Sequence, residues 1–239
     1  MGDPHHILHR EAELLEENLP RRAGAEVILN GRDPAALGEA AARLVDNGAL
    51  GVKALAFDVT NEESVEDAIA HAETEIGQID ILVNNAGMQH RAPLEDWPLD
   101  KFRQVIDTNL TSAFIVGRAV ARGMIARRSG KIINISSRLG MPEYVDSNSV
   151  PYGVVNAGTN ILSIGLAREL QESGIRVNTV IPTVTDTDRF RDVFTSEEQQ
   201  RIIKKGKLGT AEEVAETIVG ILKDGKKTGE MVIDPRVRL

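Results

Sequence analysis

The stretch PYGVVNAG, residues 151–158, sets Tyr152 at the head of an apolar helical pattern, where a phenol could exchange a proton with a reacting oxygen. Four residues on, one turn away on the same face, a lysine would make that phenol reactive; Asn156 stands there instead. A free phenol has a pKa of about 10, so roughly one in a thousand is ionised at neutral pH. A nearby ammonium would favour the phenolate by roughly 4 kcal/mol at an effective dielectric of about 20, or about three pKa units. Asparagine offers a dipole and no charge, so proton transfer at this position is expected to be severely slowed.

The elements that must carry such a site follow from the apolar pattern. AEVILNGR (25–32), VKALAFDVT (52–60), IDILVNNAG (79–87), GKIINISS (130–137), IRVNTVIP (175–182) and GEMVIDP (229–235) read as short buried strands. Helical patterns separate them. Asp33 with Pro34 opens one helix, and another starts near Pro98 and continues through the arginines at 127 and 128. A helix from about Tyr152 ends near Gly174. Thr195 with Glu198 and Thr210 with Glu213 have the spacing of capping boxes. This alternation predicts an α/β class chain with a doubly wound parallel sheet and helices on both faces. Ligands in such sheets sit at the carboxyl ends of the strands. Those ends carry Asn30, Gly31 and Arg32; Asp58 and Val59; Asn84, Asn85, Ala86 and Gly87; Ser136 and Ser137; Pro182 and Thr183. Each alone reads equally as a turn or cap; their gathering on one edge points to a site.

The 239 residues fit one domain with a substantial core, residues 1–23 forming a divergent N-terminal segment. A hydrophobic content of 41% with 27% charge is ordinary for a soluble cytoplasmic protein. The net charge of −8 and a pI near 5.2 argue against a nucleic-acid surface. No apolar run reaches membrane-spanning length, and the N-terminus lacks the apolar core of a signal peptide. With no cysteine, disulfides and thiolate metal sites are excluded. His5, His6 and His9 have no carboxylate or cysteine converging on them in sequence, so no metal site is assigned.

From about residue 24 to 188 the chain resembles the short-chain dehydrogenase/reductase family. NNAG after a strand, TNL in the following helix, IINISS and then a tyrosine opening a long helix stand in that family's order. GAEVILNGRDPA, LAFDVT and IDILVNNAGMQHRAPLED look most like gluconate 5-dehydrogenases. The resemblance implies a single Rossmann-like domain and an NAD(P)-dependent oxidoreductase acting on a sugar acid, polyol or other carbonyl compound. By that resemblance Ser137 would hydrogen-bond the substrate oxygen, Tyr152 would exchange a proton with it, and Asn109 would hold a water in the proton relay. Asn156 would keep only the ribose contact of the family's lysine. Asp58 and Val59 would flank the adenine, Asn30 and Pro182 would border the cofactor, and Asn85, Ala86 and Gly87 would line its cleft. Thr187 matches the threonine that contacts the nicotinamide carboxamide. Arg32 could meet a 2′-phosphate, favouring NADP over NAD, although an arginine in a polar turn is also simply solvated. The family commonly pairs its long helices, which implies a homodimer or homotetramer and a small-molecule substrate, with no nucleic-acid or membrane partner.

Three departures oppose the resemblance. Asn156 replaces the lysine. The interval SRLGMPEYVDSNSVPY is two residues longer than the family's usual one and contains Tyr144. The Gly-x-x-x-Gly-x-Gly phosphate turn is missing: before Gly24 the one glycine is Gly2, and HHILHREAELLEEN occupies its place. The first strand is therefore expected to be shortened or absent, with Glu11 and Glu13 in the next helix's first turn, where they repel a diphosphate. NADP or NAD binding is then expected to be weak or lost. The alternative function is a catalytically degenerate relative, a binding or structural protein that keeps the fold. General acid–base catalysis supplies a factor of about 10² to 10⁴, yet on these grounds Asn156→Lys alone should leave turnover near background; substantial turnover from that single change, measured on gluconate and 5-ketogluconate with NADPH or NADP⁺, would show the glycine turn to be dispensable here.

Overall fold

The computed structural model describes residues 5–10, 25–49, 51–206 and 208–234, the first six by their backbone. Their sheet has seven parallel strands: β1 (His5–Arg10), β2 (Ala25–Gly31), β3 (Val52–Ala56), β4 (Ile79–Asn84), β5 (Gly130–Ile135), β6 (Ile175–Ile181) and, last in the chain, β9 (Met231–Ile233). Their order across the sheet is β3-β2-β1-β4-β5-β6-β9. The chain reverses direction across the sheet between β1 and β4, the switch point at which a doubly wound sheet opens a crevice. A two-stranded ladder, β7 (Val184–Thr185) with β8 (Leu208–Gly209), stands apart. Among the described residues no helix is long and apolar enough to cross a membrane.

The Rossmann-like class is as expected, but the expectation for the first strand is corrected. β1 is neither absent nor shortened: its six residues equal β4 and β5 in length. It pairs with β2 from His5↔Ala25 to Arg10↔Asn30 and with β4 on its other side. Ladders on both edges make a strand of HHILHR, whose His and Arg ends read as polar in isolation. Glu11, Glu13 and the rest of 11–24 lie outside the described residues, as do the side chains of His5, His6 and His9.

The strands bury alternate side chains on opposite faces. Ile28, Leu82, Ile132 and Val177 pack beneath α2 (Glu62–His71), α4 (Ser112–Arg127) and α5 (Val150–Leu170). Val27, Leu29, Val83, Ile133 and Val180 face α1 (Pro34–Asp46) and α8 (Ala211–Lys223). The caps form as the residue types require. Asp33 accepts from the amides of Ala35 and Ala36, and both capping boxes close, Thr195 with Glu198 at α7 (Ser196–Lys204) and Thr210 with Glu213 at α8. The helix expected from Pro98 is interrupted: α3 (Leu99–Ile106) passes through a π-type turn at Asp107–Thr111 before α4. Such turns re-aim side chains at functional sites, and this one carries Asn109.

A buried polar chain fixes strands to helix. Asn84 Nδ2 donates to Asn134 Oδ1 (2.9 Å), Asn134 Nδ2 donates to Ser163 Oγ (2.8 Å), and the Ser163 hydroxyl donates to the Thr159 carbonyl (2.8 Å). Asn134 and Ser163 are each 1% exposed. Asn134→Leu would leave the Asn84 amide with only the longer contact to the Ala113 carbonyl (3.4 Å) and take from the Ser163 oxygen the donor it accepts from, so we expect a loss of about 1–3 kcal/mol in stability, read as a lower urea midpoint with unchanged slope.

Candidate active site

The carboxyl ends of β4, β5 and β6 bound a cavity of about 410 Å³. Ser137, two residues past the end of β5, lies in extended backbone, and its Oγ accepts from the amide of Leu139, capping a short 3₁₀ turn at Arg138–Gly140. That turn is pressed onto α5. A Cβ at Gly140 would lie 2.7 Å from the Ala157 nitrogen and the Asn156 carbonyl carbon, both backbone atoms. On the facing side a Cβ at Gly153 would lie 3.0 Å from the Leu139 oxygen. The Ser136 hydroxyl adds a bond to the Asn156 carbonyl (3.2 Å). The close docking brings Ser137 and Tyr152, fifteen positions apart in sequence, onto one cavity wall system.

The same cavity is lined by Asn85, Pro182 and Thr187. Thr187 caps α6 (Asp188–Val193), its Oγ1 accepting from the amide of Phe190. Asn109 does not line this cavity; its carboxamide grips the backbone of Met88 twice: Nδ2 donates to the carbonyl and Oδ1 accepts from the amide, each at 3.0 Å. This holds the turn at Gly87, where a Cβ would meet Asn109 Nδ2 at 3.3 Å.

Asn156 is not brought to the cavity. It is 5% exposed, and its Nδ2 donates to the Tyr152 carbonyl at 2.7 Å, one turn back along α5. The docked 138–140 turn lies against its backbone and Cβ.

The residues expected to meet a nucleotide gather separately. Asn30, Val59, Asn85 and Ala86 line a small apolar cavity with Phe57. Asn30 is 2% exposed, and its Nδ2 donates to the carbonyls of Leu55 and Phe57, both at 3.1 Å. Those two carbonyls fix which end of the carboxamide is nitrogen, and among the described residues Oδ1 is buried with no partner. Asp58 accepts from the amide and hydroxyl of Thr60 (2.9 and 2.8 Å), turning the chain toward α2. Arg32 is exposed at the rim of a larger cleft of about 630 Å³, which Gly31, Arg43 and Gly87 also line. Among the described residues no group of three or more His, Cys, Asp or Glu side chains could hold a metal.

Sequence reasoning missed the ion cluster beside the cavity, of which Asp146 and Phe194 line it. Arg91 binds Asp146 at 2.9 Å and Glu198 at 3.0 Å, and its guanidinium lies 5.1 Å from the centre of the Phe194 ring. It joins the loop after β4, the lengthened loop before α5 and helix α7. The partners are 55 and 107 residues away, so no local spacing announced them. Gln89 and Arg189, which line both the reaction cavity and the larger cleft, were likewise invisible in the sequence.

Residues 20–198 match the family described as short chain dehydrogenase. Gluconate 5-dehydrogenase from Gluconobacter oxydans is 37% identical over 177 residues, 74% of this chain and 68% of that one. A 3-oxoacyl-acyl-carrier-protein reductase from Vibrio cholerae is 33% identical over 209 residues, 87% of this chain and 81% of its own. The structure of a gluconate 5-dehydrogenase from Burkholderia cenocepacia in complex with NADP and tartrate superposes with a TM-score of 0.87 at 29% identity, covering 98% of this chain and 94% of that one.

The ion cluster titrates. The backbone amide of Thr195, then its hydroxyl and the Arg91 charge, together hold the Glu198 carboxyl below its ordinary value of 4.5 against the opposing effect of burial. Because the folded value lies below the unfolded one, this contribution is complete above the unfolded pKa and is lost as pH falls through the folded one. Arg91→Met should loosen residues 195–204 by about 1–2 kcal/mol, seen as faster amide exchange there at neutral pH. The difference from the native chain should shrink as the pH is lowered through 4.5.

Proposed function

Because this chain belongs to the short-chain dehydrogenase family, we propose that it interconverts a hydroxyl and a carbonyl on a small polyhydroxy acid, with NADP as the hydride carrier. The observation that carries the reading is the convergence of Ser137, Tyr152, Asn85, Pro182 and Thr187 on one cavity at the strand ends. The residues present fit the adenosine end of a dinucleotide. Asn30 Oδ1 is a buried acceptor awaiting a donor beside the apolar cavity of Val59 and Ala86. At the end of β2, where an acidic side chain would bind a ribose 2′-hydroxyl, stand Gly31 and Arg32, and the neighbouring Asp33 carboxylate is held by the amides of α1. That arrangement suits a 2′-phosphate. These features speak for retained cofactor binding, against the loss expected from the glycine-poor start; the segment that would face the diphosphate lies outside the described residues.

In this reading a bound nicotinamide would supply the hydride chemistry. The chain's own part is positional and protonic. The Ser137 hydroxyl donates to the substrate oxygen, the Tyr152 hydroxyl passes or takes the proton, and Thr187 orients the carboxamide. The docked Arg138–Gly140 turn keeps Ser137 and Tyr152 on a common oxygen. Asn156 supplies no charge to the phenol, so the proton step is slow compared with a lysine-bearing site. That residue also favours a second reading, in which the chain binds ligands without turning them over.

The outer faces of α4 and α5 expose Phe114, Val154 and Ile161, at 46%, 54% and 70%. This supports a homodimer or homotetramer joined through these helices.

Titration with NADPH and NADH, followed by nicotinamide fluorescence, tests the proposal. NADPH should bind about tenfold more tightly than NADH, and Arg32→Ala should erase most of that preference. Failure of both nucleotides to bind would refute the oxidoreductase reading. Binding without single-turnover hydride transfer to 5-ketogluconate would select the second one.

A further inference from the structure

The cavity carries a cation that no carboxylate among the described residues neutralises. Of the carboxylates among the described residues, Asp146 alone lines the cavity, and Arg91 already holds it. Arg138 lines the same cavity directly beside Ser137 and is half-buried. Among the described residues no carboxylate, carbonyl or ring pairs with its guanidinium, and it is not one of the groups with a further partner. Its backbone is fixed from both sides, by the Ser137 cap on Leu139 and by the contact of Gly140 with α5. A guanidinium partly withdrawn from water and held in place without an anion is a recognition group, since its forked donors match a carboxylate in two parallel hydrogen bonds.

We propose that Arg138 is a specificity residue that takes the carboxylate of the substrate. The proposal rests on the oxidoreductase reading of this cavity and narrows it. The substrate is an acid whose carboxylate lies a few bonds from the carbon bearing the reacting oxygen, because Arg138 follows directly on the serine that meets that oxygen. Neutral polyols would enter the same cavity without this contact. Gln89, Thr183 and Thr185, which line the remaining wall, offer an amide and two hydroxyls to the hydroxyl groups of such an acid.

The test is equilibrium binding of D-gluconate and of D-glucitol, its uncharged reduced counterpart, to the native chain, Arg138→Gln and Arg138→Lys, by calorimetry. The native chain should prefer gluconate by about tenfold or more, the range of one paired charge. Arg138→Gln should remove that preference while leaving glucitol affinity unchanged. Arg138→Lys, which keeps the charge but not the fork, should restore part of it. Both variants should unfold at the native midpoint, because the Arg138 side chain has no hydrogen bond or ion pair among the described residues. A native chain without preference for the acid overturns the proposal, as does Arg138→Gln with the preference intact or with both affinities reduced alike. Failure of the oxidoreductase reading is read elsewhere, in absent NADPH binding and absent hydride transfer, so the two failures remain distinguishable.

Discussion

A single buried carboxamide, that of Asn134, relates the parts of this site to one another. Its oxygen receives the Asn84 amide of the neighbouring strand, and its nitrogen bonds Ser163 on α5. In a dry interior such a chain tolerates no slippage, because shifting either strand or the helix strands a polar group without water. Ser137 lies three residues beyond Asn134 on the same chain segment, and Tyr152 lies eleven residues before Ser163, about three helical turns. The placement of two residues that could share one substrate oxygen is thus inherited from amides and hydroxyls that never meet a substrate.

Glycine at 140 extends that constraint to the cavity wall. Backbone atoms of α5 approach so closely that no side chain fits there. The same approach buries position 156, and an asparagine answers this burial economically by bonding the Tyr152 carbonyl. A neutral amide with a partner one turn away needs no counter-ion. An ammonium in its place would have to leave the contact and find an anion or water. The stability of the docked turn and the reactivity of the phenol therefore make opposite demands on one residue.

Charge is distributed against the protein's average. The chain carries a net charge of −8, yet the cavity is bordered by Arg138 and Arg189, and its one carboxylate among the described residues is held by Arg91. An anionic ligand would meet a locally favourable field inside a generally repulsive one, which selects on fit within the cavity more than on long-range attraction.

What the sequence by itself determined were the features whose physical cause is local. Asp33 before Pro34, and Thr195 and Thr210 each three residues before a glutamate, cap helices through bonds that span three residues or fewer. The alternation of Val27, Ile28 and Leu29 set two buried faces and with them the layered class. The strand ends, and hence the expectation that Ser137, Tyr152 and Asn85 would share one cavity, followed from that class and from the family's residue order. Tertiary structure decided the rest. HHILHR is a full strand because ladders from both neighbours satisfy its backbone, which its own pattern could not reveal. Asn156 turns inward because a glycine sixteen residues upstream lies against its backbone. Arg91 finds Asp146 and Glu198 across 55 and 107 residues, and Arg138 in the same cavity is left without a side-chain partner among the described residues. Caps and periodicity act within a few bonds of the chain, whereas the pairing of charges and the filling of a cavity depend on which distant segments the packed sheet brings into contact.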